Sequence, residues 1–203
     1  MKIYVTGLGV VSGIGLGVAE NIASLRKHQH GMGKVTLFPT ELDVPVSEVK
    51  YSNEELKRLL SLDIQKTFSR TALLGMLAAR EAVDDARLDL NTLRVGLISS
   101  TSVGGMDLSE HFYNAFKKDN RKGRLREVIS HDCGASTEMI ADYLKVNDFV
   151  TTISTACSSA ANAIMLGARM IRNGQLDAAI VGGTDALCKF TPVSYTHLRA
   201  HET

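Results

Sequence analysis

Apolar positions along this chain switch between a two-residue and a helical period, and the switching predicts an order of elements. Lys2 to Val11 reads as a short apolar strand, closed by a turn at Ser12, Gly13 and Gly15. From Gly17 to about Lys27, Val18, Ile22 and Leu25 share one helical face. Residues 28–60 mix His28, His30, Pro39 and Pro45 with glycines and acidic positions, and are expected to form an excursion outside the core. Asp63 to Asp89 gives the clearest helix: Leu73, Leu74, Leu77, Ala78, Ala82 and Val83 form its apolar stripe, with Lys66, Arg70, Arg80 and Glu81 largely off it. Arg94 to Ser100 is a second strand, and Gly104 to about Phe116 and Ser136 to Leu144 read as short helices. Phe149 to Thr155 is a β-branched strand, Cys157 to Arg172 a helix, and Ala178 to Val181 a further strand. Strands alternating with helices predict an α/β fold with a mostly parallel sheet, and no internal repeat is present.

The candidate chemistry gathers at Cys157. A β-branched run precedes it, and small residues followed by apolar ones at helical spacing come after it, so it falls at a strand-to-helix junction with Thr155 and Ala156 in the turn. The unpaired N–H groups and the dipole of a helix N-terminus favour an anion. A thiolate placed there is stabilised and becomes a usable nucleophile near neutral pH. A cysteine can equally serve as a small buried hydrophobe, which is how Cys133 and Cys188, lacking such a setting, are read. The helix after Cys157 carries Arg169 and Arg172 and ends near Asn173-Gly174, a C-cap signal, before a strand that runs into Gly182-Gly183-Thr184-Asp185.

Four pieces in order carry a resemblance: the opening Lys2–Ser12, the strand and glycine loop Arg94–Met106, the elbow Thr155-Ala156-Cys157-Ser158-Ser159-Ala160, and the strand ending in Gly182-Gly183. Together, from Met1 to about Thr191, they resemble the N-terminal halves of the β-ketoacyl-[acyl carrier protein] synthases of the thiolase-like superfamily. The resemblance implies the N-terminal half of a five-layered αβαβα architecture, with residues 1–191 as a truncated ketosynthase N-terminal domain. It implies that Cys157 takes up an acyl group as a thioester. Malonyl-carrier thioester is then decarboxylated, and the carbanion attacks the acyl thioester, lengthening the chain by two carbons in fatty acid or polyketide-type synthesis. Val103 is implied to line the acyl channel, and His131 to match an aromatic channel position contributed across a dimer. The implied partners are an acyl carrier protein with phosphopantetheine-bound acyl and malonyl groups, and a second copy in a homodimer; no metal or redox cofactor is implied. The family's two catalytic histidines, lysine and glycine-rich loop belong beyond the last residue here. None of the six histidines present falls in a matching motif, so the chain as written is expected to lack condensing activity and to be poorly stable alone. Two rivals remain: a thiolase-like enzyme using coenzyme A thioesters, disfavoured by the GLGVVS and TACSS patterns, and a non-catalytic ketosynthase-like partner subunit, disfavoured by retention of Cys157.

Composition narrows the field further. The 203 residues are 44% hydrophobic and 22% charged, enough for one sizeable core. A formal net charge of +1 argues for neither a nucleic acid nor a membrane surface as partner. No run reaches the roughly 18 apolar residues of a membrane span, and no secretory signal opens the chain. Three scattered cysteines suggest neither a disulfide framework nor a zinc site, so the cytoplasm is the expected home. Gly7 to Ser12 begins like a dinucleotide fingerprint but has Ser12 at the third glycine position, with no acidic residue at the end of a second strand. His28, His30, His197 and His201 lack metal-ligand spacing. Arg121 to Arg126 is locally basic, as a solvated loop or as a docking spot for an acidic carrier. Residues 192–203 show no apolar period and no family counterpart, and are expected to be a foreign or disordered tail, the alternative being a native polar one.

Overall fold

The computed structural model describes residues 1–197, with side chains to residue 193. Two short antiparallel ladders, β1 (Val11–Ser12) with β2 (Gly15–Leu16) and β3 (Met32–Gly33) with β4 (Val46–Ser47), flank helix α1 (Val18–Arg26). Helices α2 (Asn53–Leu59) and α3 (Arg70–Ala86) lead to β5 (Val95–Ser100). After α4 (Met106–Lys118), α5 (Leu125–Ile129) and α6 (Cys133–Leu144) comes β6 (Phe149–Ile153). A 3₁₀ turn (Ala156–Ser158), α7 (Ser159–Arg172), β7 (Ala178–Val181) and α8 (Phe190–His197) complete the order.

The main sheet has the order β6-β5-β7, with both pairings parallel. Its register sets Ser100 opposite Ile153 and Ile98 opposite Val181, so all three strands end at one edge. All six residues of β5 are buried, as a central parallel strand covered on both faces requires. The strand's two-residue period sorts its side chains. Val95 and Leu97 pack with Leu73 and Met76 of α3 and Ile140 and Leu144 of α6, whereas Ile98 packs with Ala163 and Met170 of α7. The result is a helix–sheet–helix stack, the α/β arrangement that the alternation of periods predicts.

The structure departs from the expected elements at several places. The opening segment forms no long strand: only Val11 and Ser12 are paired, and the backbone before them is bonded to α3 instead. Leu8 N–H donates to Asp85 (2.9 Å), while Val10 N–H and Val18 N–H donate to the two carboxylate oxygens of Glu81 (2.9 and 2.7 Å). Carboxylates one helical turn apart thus take the donors that a neighbouring strand would take. The long helix starts at Arg70, not Asp63. Ser69 caps it by accepting the Ala72 N–H, and Lys57 Nζ holds residues 63–69 as a loop by donating to the carbonyls of Ile64 and Lys66. Arg70 is buried rather than solvent-facing, because its guanidinium donates to the carbonyls of Val49 and Tyr51 and to Asn53 Oδ1. The excursion's last part also belongs to the core, with Leu56 and Leu60 buried against α3. Helix α5, within and beyond the basic stretch, was not expected. Of the tail expected from residue 192, the part to His197 continues α8 and residues 198–203 lie outside the described residues.

Candidate active site

Cys157 sits where β6 turns into α7. The chain leaves Ile153, passes Ser154 and Thr155, and reverses through Ala156, whose φ of 54° is left-handed, a conformation costing a residue with a Cβ about 1–3 kcal/mol. Short side chains over-determine the turn. Thr155 N–H donates to Ser159 Oγ (2.8 Å), which donates to the Ala156 carbonyl (2.7 Å). Ser158 Oγ donates to the Thr155 carbonyl (2.8 Å), and Asn162 Nδ2 to Thr155 Oγ1 (2.8 Å). Ser159 is buried, while Cys157 between these anchors is exposed. Cys157 lies in the 3₁₀ turn, one turn before the regular helix, a difference from the expected helix start.

Two more loops leave the same sheet edge. Thr101 N–H donates to the Ile153 carbonyl (3.3 Å), fastening the loop after β5 to the end of β6. The loop after β7 returns across β5, with Thr184 N–H donating to the Ser100 carbonyl (2.9 Å) and Ser100 Oγ to the Gly182 carbonyl (3.0 Å). A Cβ on Gly183 would collide with Ser100 Oγ and come within 3.1 Å of Ala160 in the first turn of α7. Only a glycine lets the three loops close up this tightly. Loops at the C-terminal edge of a parallel sheet are where such folds carry their sites.

The residues expected from sequence are placed as follows. Val103 is half-buried in the loop after β5. His131 is exposed and its Nδ1 lies 2.9 Å from Ser109 Oγ, so the ring faces α4. Its backbone, however, backs the same loop: a Cβ on Gly104 would lie 2.6 Å from the His131 carbonyl, at a residue whose φ is +51°. Cys133 is half-buried with Sγ 4.0 Å from Ser154 Oγ, close to the elbow strand. Cys188 is buried, and its thiol is pushed up to about 11 by burial and then by the Glu110 carboxylate. Sequence reasoning passed over Thr101, Asp185, Ser158, Ser159 and Asn162. The sequence signal for them was their place in or beside the elbow and glycine-turn motifs; what those motifs do not show is the bonding, with Ser158 and Ser159 holding backbone carbonyls, Asn162 holding Thr155 Oγ1, and Asp185 accepting from Thr101 and Ser102. Among the described residues, no group of three His, Cys, Asp or Glu side chains is placed to hold a metal ion. No described helix is long and apolar enough to cross a membrane.

Comparison with known proteins gives consistent matches. The family model for the β-ketoacyl synthase N-terminal domain matches residues 1–201. The chain is 28% identical to 3-oxoacyl-[acyl-carrier-protein] synthase 2 of Staphylococcus aureus over 195 residues, covering 92% of this chain and 46% of that protein. It is 26% identical over 206 residues to the protein of the same name from Synechocystis, covering 96% of this chain and 47% of that one. The chain therefore spans about half the length of the curated relatives it matches. Among solved structures, the ishigamide ketosynthase/chain length factor superposes with a TM-score of 0.86 at 29% identity, over 96% of this chain and 50% of that one.

Proposed function

This chain belongs to the β-ketoacyl synthase N-terminal domain family, and from that premise we propose that its whole protein is a decarboxylating condensing acyltransferase with Cys157 as the acyl carrier on the enzyme. The Cys157 thiolate attacks the carbonyl of an acyl-carrier thioester; a C–S bond forms, the carrier thiolate leaves, and that thiolate takes a proton. Malonyl-carrier thioester then loses carbon dioxide, and its α-carbon attacks the Cys157 thioester, releasing the thiolate and a β-ketoacyl-carrier product. A thioester suits both steps, since sulfur activates the acyl carbonyl and leaves readily. The observation that carries the reading is the exposed Cys157 in a left-handed turn fixed by Ser158 and Ser159, with backbone N–H groups of the helix start close by.

Residues 1–191 are read as the elbow-bearing domain, with residues 192–203 outside it. The base and the second oxyanion donor of the condensation come from residues other than the histidines present here. An acyl carrier protein is the proposed partner, as the relatives' names indicate for those proteins, and a homodimer the proposed assembly, in the cytoplasm. Val103 and His131 are proposed to contribute to the acyl channel, His131 through the dimer partner. The ishigamide neighbour, a ketosynthase paired with a chain length factor, favours a second reading as a channel-shaping partner subunit. Retained Cys157 argues against it.

Intact-mass measurement after incubation with octanoyl-carrier and octanoyl-coenzyme A thioesters tests the proposal. The mass of one octanoyl group should appear from the carrier thioester and vanish in Cys157→Ala. Equal or faster transfer from coenzyme A would favour the thiolase-like rival, and no transfer from either would favour the partner-subunit reading.

A further inference from the structure

The loop that carries Val103 is held by a relay that starts on β7's exit. Asp185 Oδ1 accepts from Thr101 Oγ1 (2.8 Å) and from Ser102 N–H (2.7 Å). A hydroxyl has one proton, and here it goes to the carboxylate, so the Thr101 lone pairs are left for Val103 N–H (3.2 Å) and Gly104 N–H (3.1 Å). One carboxylate oxygen therefore orients a buried hydroxyl that in turn holds two successive amides of the loop. The same Thr101 is fixed by its own N–H to Ile153 at the end of the elbow strand, and Thr71 Oγ1 anchors the loop's far side by donating to the Gly104 carbonyl (2.7 Å). Four bonds thus leave Val103, the one large apolar side chain between Ser102 and Gly104, little freedom of position.

Resting on the acyl-transfer reading above, we propose that Thr101 and Asp185 are positioning residues that hold Val103 at the elbow and so set how long an acyl chain Cys157 accepts. Neither touches the reacting thiol; each acts through the loop backbone. A slackened loop lets the Val103 side chain withdraw, which changes acceptance of long chains more than of short ones, whereas a purely structural role would lower both alike.

The test uses the whole protein that contains this chain, with butyryl-, octanoyl- and dodecanoyl-carrier thioesters as probes, and reads Cys157 acylation rates by intact mass. Thr101→Val, close in shape to threonine, and Asp185→Ala should change the dodecanoyl-to-butyryl rate ratio by about fivefold, the equivalent of one lost hydrogen bond. Thr101→Ser and Asp185→Asn, which keep the acceptors, should restore the wild-type ratio. Iodoacetamide alkylation of Cys157 should stay within about twofold throughout, since the thiol's own setting is untouched. Amide exchange should show Val103 and Gly104 protected in the wild type and released in Thr101→Val. An unchanged rate ratio despite released amides overturns the length-setting role, and unprotected amides in the wild type overturn the positioning itself. A wild-type chain that takes iodoacetamide but no acyl group overturns the acyl-transfer reading and the length-setting role with it, leaving exchange to decide whether the loop is held.

Discussion

The first fifty residues and the sheet half from Val95 to Asp185 satisfy their backbones by different means. In the sheet half, β5 is paired on both sides by parallel neighbours, hydroxyls and amides such as Ser158, Ser159, Asn162 and Thr101 fix the connecting loops, and carboxylates act at the margins, Asp148 on Val95 N–H and Asp185 on Ser102 N–H. In the first fifty residues, beside the bonds within α1 and two short ladders, six main-chain donors go to carboxylates: Leu8 to Asp85, Val10 and Val18 to Glu81, Leu16 to Glu20, and Thr36 and Leu37 to Glu48. A ladder is cooperative and contains no group that titrates between pH 2 and 8. A carboxylate clamp is a single acceptor, strong while ionised and lost when protonated. The difference separates a rigid platform for the thiol from a periphery whose attachment depends on a few side chains.

Removing the thiol should give the largest effect of all on activity and almost none on stability. Cys157→Ala is expected to abolish acyl uptake, while an exposed side chain with its turn held by the neighbouring serines leaves unfolding within about 0.5 kcal/mol of the wild type. Intact mass and urea unfolding check both halves of that statement. A large loss of stability would mean that the platform depends on the sulfur it presents.

Next in size is the platform itself. Ile98 is fully buried between the sheet and α7, so Ile98→Ala should cost about 2–5 kcal/mol by leaving a cavity under the elbow helix. Calorimetry should show the whole sheet half melting earlier. A cost below about 1 kcal/mol would show that the platform is no tighter than the periphery.

How much of this was legible in the sequence follows the same division. Val95–Ser100, Phe149–Ile153 and Ala178–Val181 match the expected strands closely, because each finds a parallel partner in the sheet. The elbow was legible for the same reason, down to Thr155 and Ala156 in the turn. Residues 2–10 have the composition of a strand but no partner among the described residues; propensity states what a pleated surface would accept, not whether a neighbour is there. Helix α3 was overrun at its start because the apolar count carried no information about Ser69, whose cap sets the boundary. Arg70 was misplaced since its three oxygen acceptors come from residues 49–53, which no local period connects to it. Thr101 and Asp185 are 84 residues apart and could be joined only by the sheet order.

A smaller, local effect should separate the two regions by single side chains. Glu81→Ala removes the acceptor shared by Val10 and Val18, and amide exchange at those two positions should rise about tenfold, with β5 and β6 unaffected. Glu81→Gln keeps one carbonyl oxygen and should give a smaller rise. If exchange in β5 rose equally, the opening segment would be part of the platform rather than clamped onto it.

Acid offers the finest discrimination, because it acts on the clamps and spares the ladder. Burial by itself raises the Glu48 carboxyl, but bonds from Lys50, Thr36 and Leu37 outweigh it and hold the group at about 2, against an ordinary 4.5. A group bound more tightly as its anion stabilises the fold above its ordinary value and loses that contribution as pH falls towards the folded-state value. Protection of the Thr36 and Leu37 amides should therefore decline between about pH 4.5 and 2, the window those two values set, while protection of the β5 amides beyond Val95, whose own N–H is held by Asp148, stays level over the same range. Lys50 should become more mobile in step, since its ammonium lies 2.6 Å from the same carboxylate. Glu48→Gln should flatten the pH dependence at residues 36 and 37 without altering the sheet. Parallel loss of protection in both regions would show that the excursion and the platform unfold as one unit and that the clamp is not separable from the ladder.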